Sequence, residues 1–193
     1  ALAALELAWV DGGAATGSVA LQLALVPIQE CGTEAQRATY LGRAESGVDG
    51  KRWHGAFALT EPLPYAGVDA GMLSGSVKVE SWADGVEPHL RVEKRGRFIS
   101  NMDFADFVIA AVDSADERFR GSCMVILEKD DDGLFDRGRS TRKLVHQLGS
   151  TRDPVFDLAV PADRILGGYT VQDGVIVPNL NHLEIIDKVL GRT

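Results

Sequence analysis

At about Phe57 the spacing of apolar residues changes from helical to two, and that change sets the fold class. Val77 and Val79 alternate with Lys78 and Glu80, and Leu90 and Val92 alternate with Arg91 and Glu93. Successive side chains of a strand point to opposite faces, so each run has one buried face. Residues 107–112 and 123–127 are apolar without interruption, which reads as strands buried on both faces. Residues 155–160 alternate again and stop at Pro161. Gly, Pro and Asp clusters at 85–88, 113–117 and 130–138 separate the runs. Short strands with turn signals between them predict an antiparallel barrel or sandwich.

The residues ahead of this region read as helical. Leu2, Leu5 and Trp9 fall on one helical face. An apolar helix over residues 19–25 is entered through Thr16 and Ser18, then broken by Pro27 and Cys31-Gly32. Thr33-Glu34-Ala35-Gln36 has the capping-box form, a hydroxyl at the N-cap and a Gln three residues on. It predicts a helix to about Ala44, ended by Ser46-Gly47. The glycine-rich stretch Gly12-Gly13-Ala14-Ala15-Thr16-Gly17-Ser18 lacks a P-loop ending and follows no strand, so it reads as a helix–helix loop. Residues 183–190 are helical again. The fold class is therefore α+β: a helical segment, an antiparallel β-barrel or sandwich middle domain, and a short C-terminal helix. The expected units are 1–50, 51–167 and 168–193. Because the chain begins inside a helix and stops just after one, it is read as a piece of a longer protein.

Composition narrows the function. With 193 residues, 45% of them hydrophobic, the chain is long enough for one sizeable core. A formal net charge of -8 speaks against nucleic acid, which wants a basic face. Apolar runs fall well short of the roughly 18 residues of a membrane span. Cys31 and Cys123 lack the spacing of a disulfide framework or zinc site, and read as reduced thiols of an intracellular protein. The expected location is the cytoplasm, or an organelle matrix in a eukaryote.

Most candidate chemistry reduces to ordinary structure. Counting from Asp130, the twelfth position of the Asp130-Asp131-Asp132-Gly133 run is Thr141, where a calcium loop needs Glu, so a solvated turn is expected. His54, His89, His146 and His182 share no ligand spacing and read as surface or packing residues; no metal site is predicted. Two strand ends stand apart. Phe57-Ala58-Leu59-Thr60-Glu61-Pro62 ends in a hydroxyl and a carboxylate before proline, and Arg97-Phe98-Ile99-Ser100-Asn101 pairs an aromatic with a second hydroxyl. An aromatic beside a hydroxyl can lie against a flat ring and offer it a hydrogen bond. On chemistry alone, ordinary strand ends with a core aromatic are the better explanation of the pattern.

These two blocks, with Gly32-Thr33-Glu34-Ala35-Gln36 and Tyr40-Leu41 before them, resemble successive blocks of the acyl-CoA dehydrogenase family. So do Gly149-Ser150-Thr151 with Val155-Phe156, and Val160-Pro161-Ala162-Asp163-Arg164-Ile165-Leu166-Gly167. The blocks keep the family's order over residues 30–193. The resemblance implies FAD as cofactor, an acyl-CoA substrate undergoing α,β-dehydrogenation, an electron-transfer flavoprotein or similar acceptor, and a homo-oligomer, commonly a tetramer. It implies that Phe57, Leu59 and Thr60 run along the flavin, and that Phe98, Ile99 and Ser100 cover the ring and bring a hydroxyl near N5. Ser150 matches a loop near the CoA pantetheine. An acyl-CoA oxidase or flavin monooxygenase on the same fold, or a non-catalytic β-domain binding module, are the alternatives.

The catalytic base is implied to lie outside this segment, so the segment alone is expected to have no dehydrogenase activity. Some family members place a glutamate where this chain has Thr193, which cannot act as a base, and Glu184 lies about two and a half helical turns earlier. Phe98 stands in place of the usual tryptophan. Leu63-Pro64-Tyr65-Ala66-Gly67-Val68-Asp69 replaces the family's Gly-x-Gly-Ser-Asp. Residues 168–181 are longer than usual, and Tyr169 to Val177 around Asp173-Gly174 reads as a hairpin, either on the surface or at a subunit contact, or narrowing the acyl pocket.

Overall fold

The computed structural model describes residues 2–47, 50–64, 72–141 and 150–190. Four helices come first: α1 (Leu2–Val10), α2 (Gly12–Ala20), α3 (Gln22–Cys31) and α4 (Glu34–Glu45). Seven strands follow: β1 (Gly55–Ala58), β2 (Ser76–Ser81), β3 (His89–Arg95), β4 (Phe107–Ser114), β5 (Cys123–Glu128), β6 (Asp132–Ser140) and β7 (Arg152–Pro161). A 3-10 turn (Ala162–Arg164), the hairpin β8 (Tyr169–Gln172) and β9 (Val175–Pro178), and helix α5 (His182–Leu190) complete the elements of the described residues.

The seven strands form one sheet in the order β1-β4-β2-β3-β7-β6, with β5 on the other edge of β4. Pairings β2–β3, β3–β7, β6–β7 and β4–β5 are antiparallel, as the short runs and turns predict. β4 adds two parallel contacts, to β1 along Phe107–Ala110 and to β2 at Asp113 and Ser114. By meeting β1 and then β2 on one edge, β4 joins two parts of the sheet and curls it.

Burial splits into two cores along this curl. Val108, Ala110 and Val112 of β4, with Cys123, Val125 and Leu127 of β5, face one core together with Val77, Val79, Leu90, Val92, Phe156 and Leu158. Their neighbours Phe107, Ile109, Ala111, Met124 and Ile126 face a second core with Ala24, Ile28, Tyr40 and Ile185 from the helices. The uninterrupted apolar runs of β4 and β5 exist because both of their faces are covered. β2, β3 and β7 alternate because only one is.

Three local expectations are corrected. The glycine-rich stretch is not a loop but α2, started by Asp11, whose Oδ1 accepts from Gly13 N at 2.7 Å. Thr16 lies inside that helix and donates to Gly12 O at 2.8 Å, so it caps nothing. Pro27 does not end a helix: α3 runs through it to Cys31, with Ala24, Pro27, Ile28 and Cys31 buried. Packing of that face outweighs the hydrogen bond that a proline omits. The α4 capping box forms as predicted, with Gln36 N on Thr33 Oγ1 at 3.2 Å and Thr33 N on Gln36 Oε1 at 3.0 Å. Its Gln36 Nε2 also donates to Asp163 O (2.7 Å) and Ile165 O (2.8 Å), which latches α4 to the turn after β7.

Asp116 fastens the loop after β4 to the edge of β2. It accepts from Val79 N at 3.0 Å, and from Arg118 N and Nη2 at 2.8 Å each. The Arg118 hydrogen bond, with the two backbone N–H groups and against partial burial, pulls its carboxyl from an ordinary 3.8 to about 2. A depressed folded-state pKa adds stability that is present above the unfolded value and lost as pH falls through the folded one. Asp116→Asn is therefore expected to flatten the loss of thermal stability between about pH 4 and 2. Tm measured against pH for both proteins checks this; parallel curves would contradict it.

Candidate functional site

The end of β1 is fixed from behind and open in front. Past Ala58 the chain runs through Leu59, Thr60 and Glu61 before Pro62 turns it away. Leu59 is buried and Thr60 exposed. Thr60 O accepts from Arg97 N at 2.9 Å, so the second block starts on the first.

That second block makes a sharp turn. Phe98 and Asn101 both have φ in the left-handed region, 58° and 67°, unusual for a side chain with a Cβ. Side chains hold the turn: Phe98 N donates to Asp153 Oδ1 at 2.9 Å, and Asn101 Nδ2 donates to Gly55 O at 2.8 Å. Ile99 exchanges two backbone hydrogen bonds with Arg152, at 2.9 and 3.0 Å. The Arg97 guanidinium sits over the Phe98 ring, 4.6 Å from its centroid, and Phe98 as a whole remains 44% exposed. A bulky aromatic in a strained conformation with an open face is the sort of feature that functional sites retain.

The six residues of the two blocks singled out from the sequence line one cleft of about 210 Å³: Phe57, Leu59, Thr60, Phe98, Ile99 and Ser100. Leu23 of α3 and Val189 of α5 close it from the helical side. Its wall is apolar and its edge carries two hydroxyls and an aromatic ring. A concave, mostly apolar surface with a few polar groups at its edge is the usual make-up of a small-molecule site.

Ser150 is not among the lining residues. It is buried, and its Oγ accepts from Asn101 N at 3.0 Å while its carbonyl accepts from Met102 N at 3.0 Å. It thus holds the turn that carries Ser100. The β8–β9 hairpin forms with Asp173 and Gly174 at its tip, both at positive φ. It docks through Ile176, which exchanges backbone hydrogen bonds with Arg118 and Arg120, and contributes nothing to the cleft lining. Asp131, in the turn of the acidic run, accepts from Glu128 N at 2.6 Å. His89 is exposed, and His182 is a buried packing residue bonded to Ser122 Oγ at 2.6 Å. Residues 65–69, His146, Gly149 and Thr193 lie outside the described residues.

Behind the cleft stands a pair of charges that the sequence reading missed. Lys94 and Glu61 have fully buried side chains, joined Nζ to Oε1 at 2.7 Å. Lys94 Nζ also donates to Ala111 O (2.7 Å) and Leu59 O (3.4 Å), and Glu61 accepts from Ser74 N (2.7 Å) and Gly75 N (2.8 Å). Burial by itself would raise the Glu61 carboxyl, but the Lys94 ammonium and the two amides hold it below its ordinary range. A signal was present: Lys94 falls in phase with Leu90 and Val92, so β3 turns a lysine toward the buried face.

Fold and cleft together define a β-domain in which two strand ends line one cleft, with helices packed beside it. A "short-chain specific" acyl-CoA dehydrogenase of Megasphaera elsdenii is 36% identical over 169 residues, covering 86% of this chain and 41% of that protein. The structure of butyryl-CoA dehydrogenase from Megasphaera elsdenii superposes with a TM-score of 0.69 at 32% identity, over 86% of this chain and 41% of that one. An acyl-CoA dehydrogenase from Bacillus anthracis complexed with FAD gives a TM-score of 0.63 at 27% identity, over 80% and 25% of the two chains. No protein-family model matches the chain. The chain belongs to the acyl-CoA dehydrogenase family and spans less than half the length of these relatives.

Proposed function

We propose that this chain is the flavin-facing part of an FAD-dependent acyl-CoA dehydrogenase, with 1–50 ending its N-terminal helical domain and 168–193 leading into its C-terminal helices. The observation that carries the reading is the convergence of Phe57, Leu59, Thr60, Phe98, Ile99 and Ser100 on one cleft. Bound FAD would supply the acceptor for a hydride leaving the β-carbon of an acyl-CoA thioester. The chain's own part is to cover the ring with Phe57, Leu59, Phe98 and Ile99, excluding water, and to present the Thr60 and Ser100 hydroxyls to its polar edge. Donors fixed before charge develops stabilise that charge without reorganising. The α-proton goes to a carboxylate base supplied from elsewhere in the protein. Ser150 enters through the turn it holds, since its hydroxyl accepts from Asn101 N. An electron-transfer flavoprotein as acceptor, assembly as a homotetramer, and a cytoplasmic or organelle-matrix location belong to the same proposal.

The test uses the full-length protein. It is expected to copurify with FAD and to bleach anaerobically when an acyl-CoA is added. A protein without flavin that no acyl-CoA reduces would overturn the reading. Within it, Ser100→Ala is expected to slow the reductive half-reaction on the order of tenfold, about 1.4 kcal/mol, and Thr60→Val to act in the same direction. Stopped-flow rates and a flavin potential unchanged in both variants would mean that neither hydroxyl reaches the ring.

A further inference from the structure

We infer that Lys94 and Glu61 are positioning residues for the flavin edge, acting through the backbone of residues 59–61. The inference rests on the flavin reading above. Of the two cleft-lining residues in this stretch, Leu59 and Thr60, Thr60 is the exposed one that carries a hydroxyl, and it is held on both sides. Leu59 O before it accepts from Lys94 Nζ, and Glu61 after it is bound by the same ammonium. Its own carbonyl is taken by Arg97 N, the first residue of the opposite block.

The carboxylate also gathers the start of the next strand. Glu61 bonds Ser74 N and Gly75 N, just ahead of β2, while Lys94 on β3 bonds Ala111 O on β4. Four separate stretches of chain therefore meet at one ion pair behind the cleft. Gly75 leaves room for this: a Cβ there would stand 3.0 Å from Glu61 Oε1 and 3.2 Å from Lys94 Cγ.

The pair is charged but neutral in sum, and that is the second half of the inference. Both side chains are fully buried, so neither charge is screened by solvent. A flavin beside Thr60 experiences no net charge from them while both are ionised. Removing the ammonium leaves only Ser74 N and Gly75 N to oppose the burial that raises the Glu61 carboxyl, so its unbalanced negative charge, one residue from the cleft, is present only toward alkaline pH. Negative charge there opposes the gain of electrons by the ring.

Full-length Lys94→Met is therefore expected to lower the flavin reduction potential at alkaline pH, where the lone Glu61 is ionised, and to weaken FAD retention by about tenfold, the effect of losing one or two charge-assisted hydrogen bonds. The double variant Lys94→Met with Glu61→Gln is expected to return the potential to near the wild-type value while FAD remains weakly held. Loss of packing alone would not produce that return, because the double variant is no better packed than the single one. An unchanged potential in Lys94→Met, or one lowered equally in the double variant, overturns the inference while leaving the wild-type flavin intact. A wild-type protein that takes up no FAD overturns the flavin reading instead, and this inference with it. If Lys94→Met does not fold, Lys94→Arg serves: the charge stays, but the guanidinium cannot reproduce the three ammonium contacts. A shifted flavin spectrum and several-fold weaker FAD binding support the inference; wild-type values for both overturn it.

Discussion

Glu61→Leu in the full-length protein is expected to cost the folded state about 3–5 kcal/mol, among the largest penalties available to a single residue here. The substitution leaves the Lys94 ammonium sealed from water with only carbonyl oxygens for partners, and it strips Ser74 N and Gly75 N of their acceptor. Burial already pulls Lys94 below its ordinary value, with Glu61 opposing that pull, so the lone lysine sheds its proton more readily. Neutralisation limits the damage but does not restore the lost contacts. A matched Lys94→Met with Glu61→Leu pair should recover much of the loss, since well-packed apolar side chains often replace a buried ion pair without penalty. Thermal unfolding of wild type, both single variants and the double variant checks this. Equal, additive losses in the double variant would mean that the two residues are not coupled.

The contrast between what was and was not legible in the sequence follows from the range of the interactions. The α4 capping box is local, its partners three positions apart, and was readable outright from Thr33 and Gln36. The two-sided burial of β4 and β5 was equally plain, since an apolar run with no polar phase leaves no face for water. Pro27 and the glycine-rich start of α2 misled because local propensity argued against helix there, while the decisive terms were the packing of α3 and the Asp11 cap. The parallel pairings of β4 with β1 and β2 join residues 52 and 37 positions apart, and no periodicity encodes which strand lies next to which. The cleft was legible only as two separate blocks. Their convergence depends on Asn101 reaching Gly55 O and on Arg97 N reaching Thr60 O. Leu23 and Val189, which complete the lining, carry no signal beyond being apolar on a helix.

Gly55→Val is expected to destabilise the protein by an amount near the upper end of the roughly 1–3 kcal/mol typical of overpacking, and to damage the cleft at the same time. A Cβ at Gly55 would stand 2.5 Å from the tip of the Phe107 ring and 2.6 Å from Ala24 Cβ, distances that force something to move. Phe107 is fully buried and packed against Tyr40, with ring centroids 5.1 Å apart, so it has little room to yield. The movable side is α3, which carries Ala24 and, one residue earlier, the cleft residue Leu23. Pushing α3 away from β1 shifts Leu23 from the wall that Phe57 and Leu59 form. The Gly55 carbonyl is also the acceptor for Asn101, so displacement of β1 loosens the turn that presents Phe98 and Ser100. Gly55→Ala adds the Cβ alone and should show a smaller version of both effects. Differential scanning calorimetry together with FAD release on dilution separates them: a lower Tm with weaker flavin retention in the order wild type, alanine, valine is the expected result. A valine variant with wild-type Tm would mean that α3 and β1 do not pack this closely, and a lowered Tm with unchanged flavin retention would detach Leu23 from the proposed flavin site.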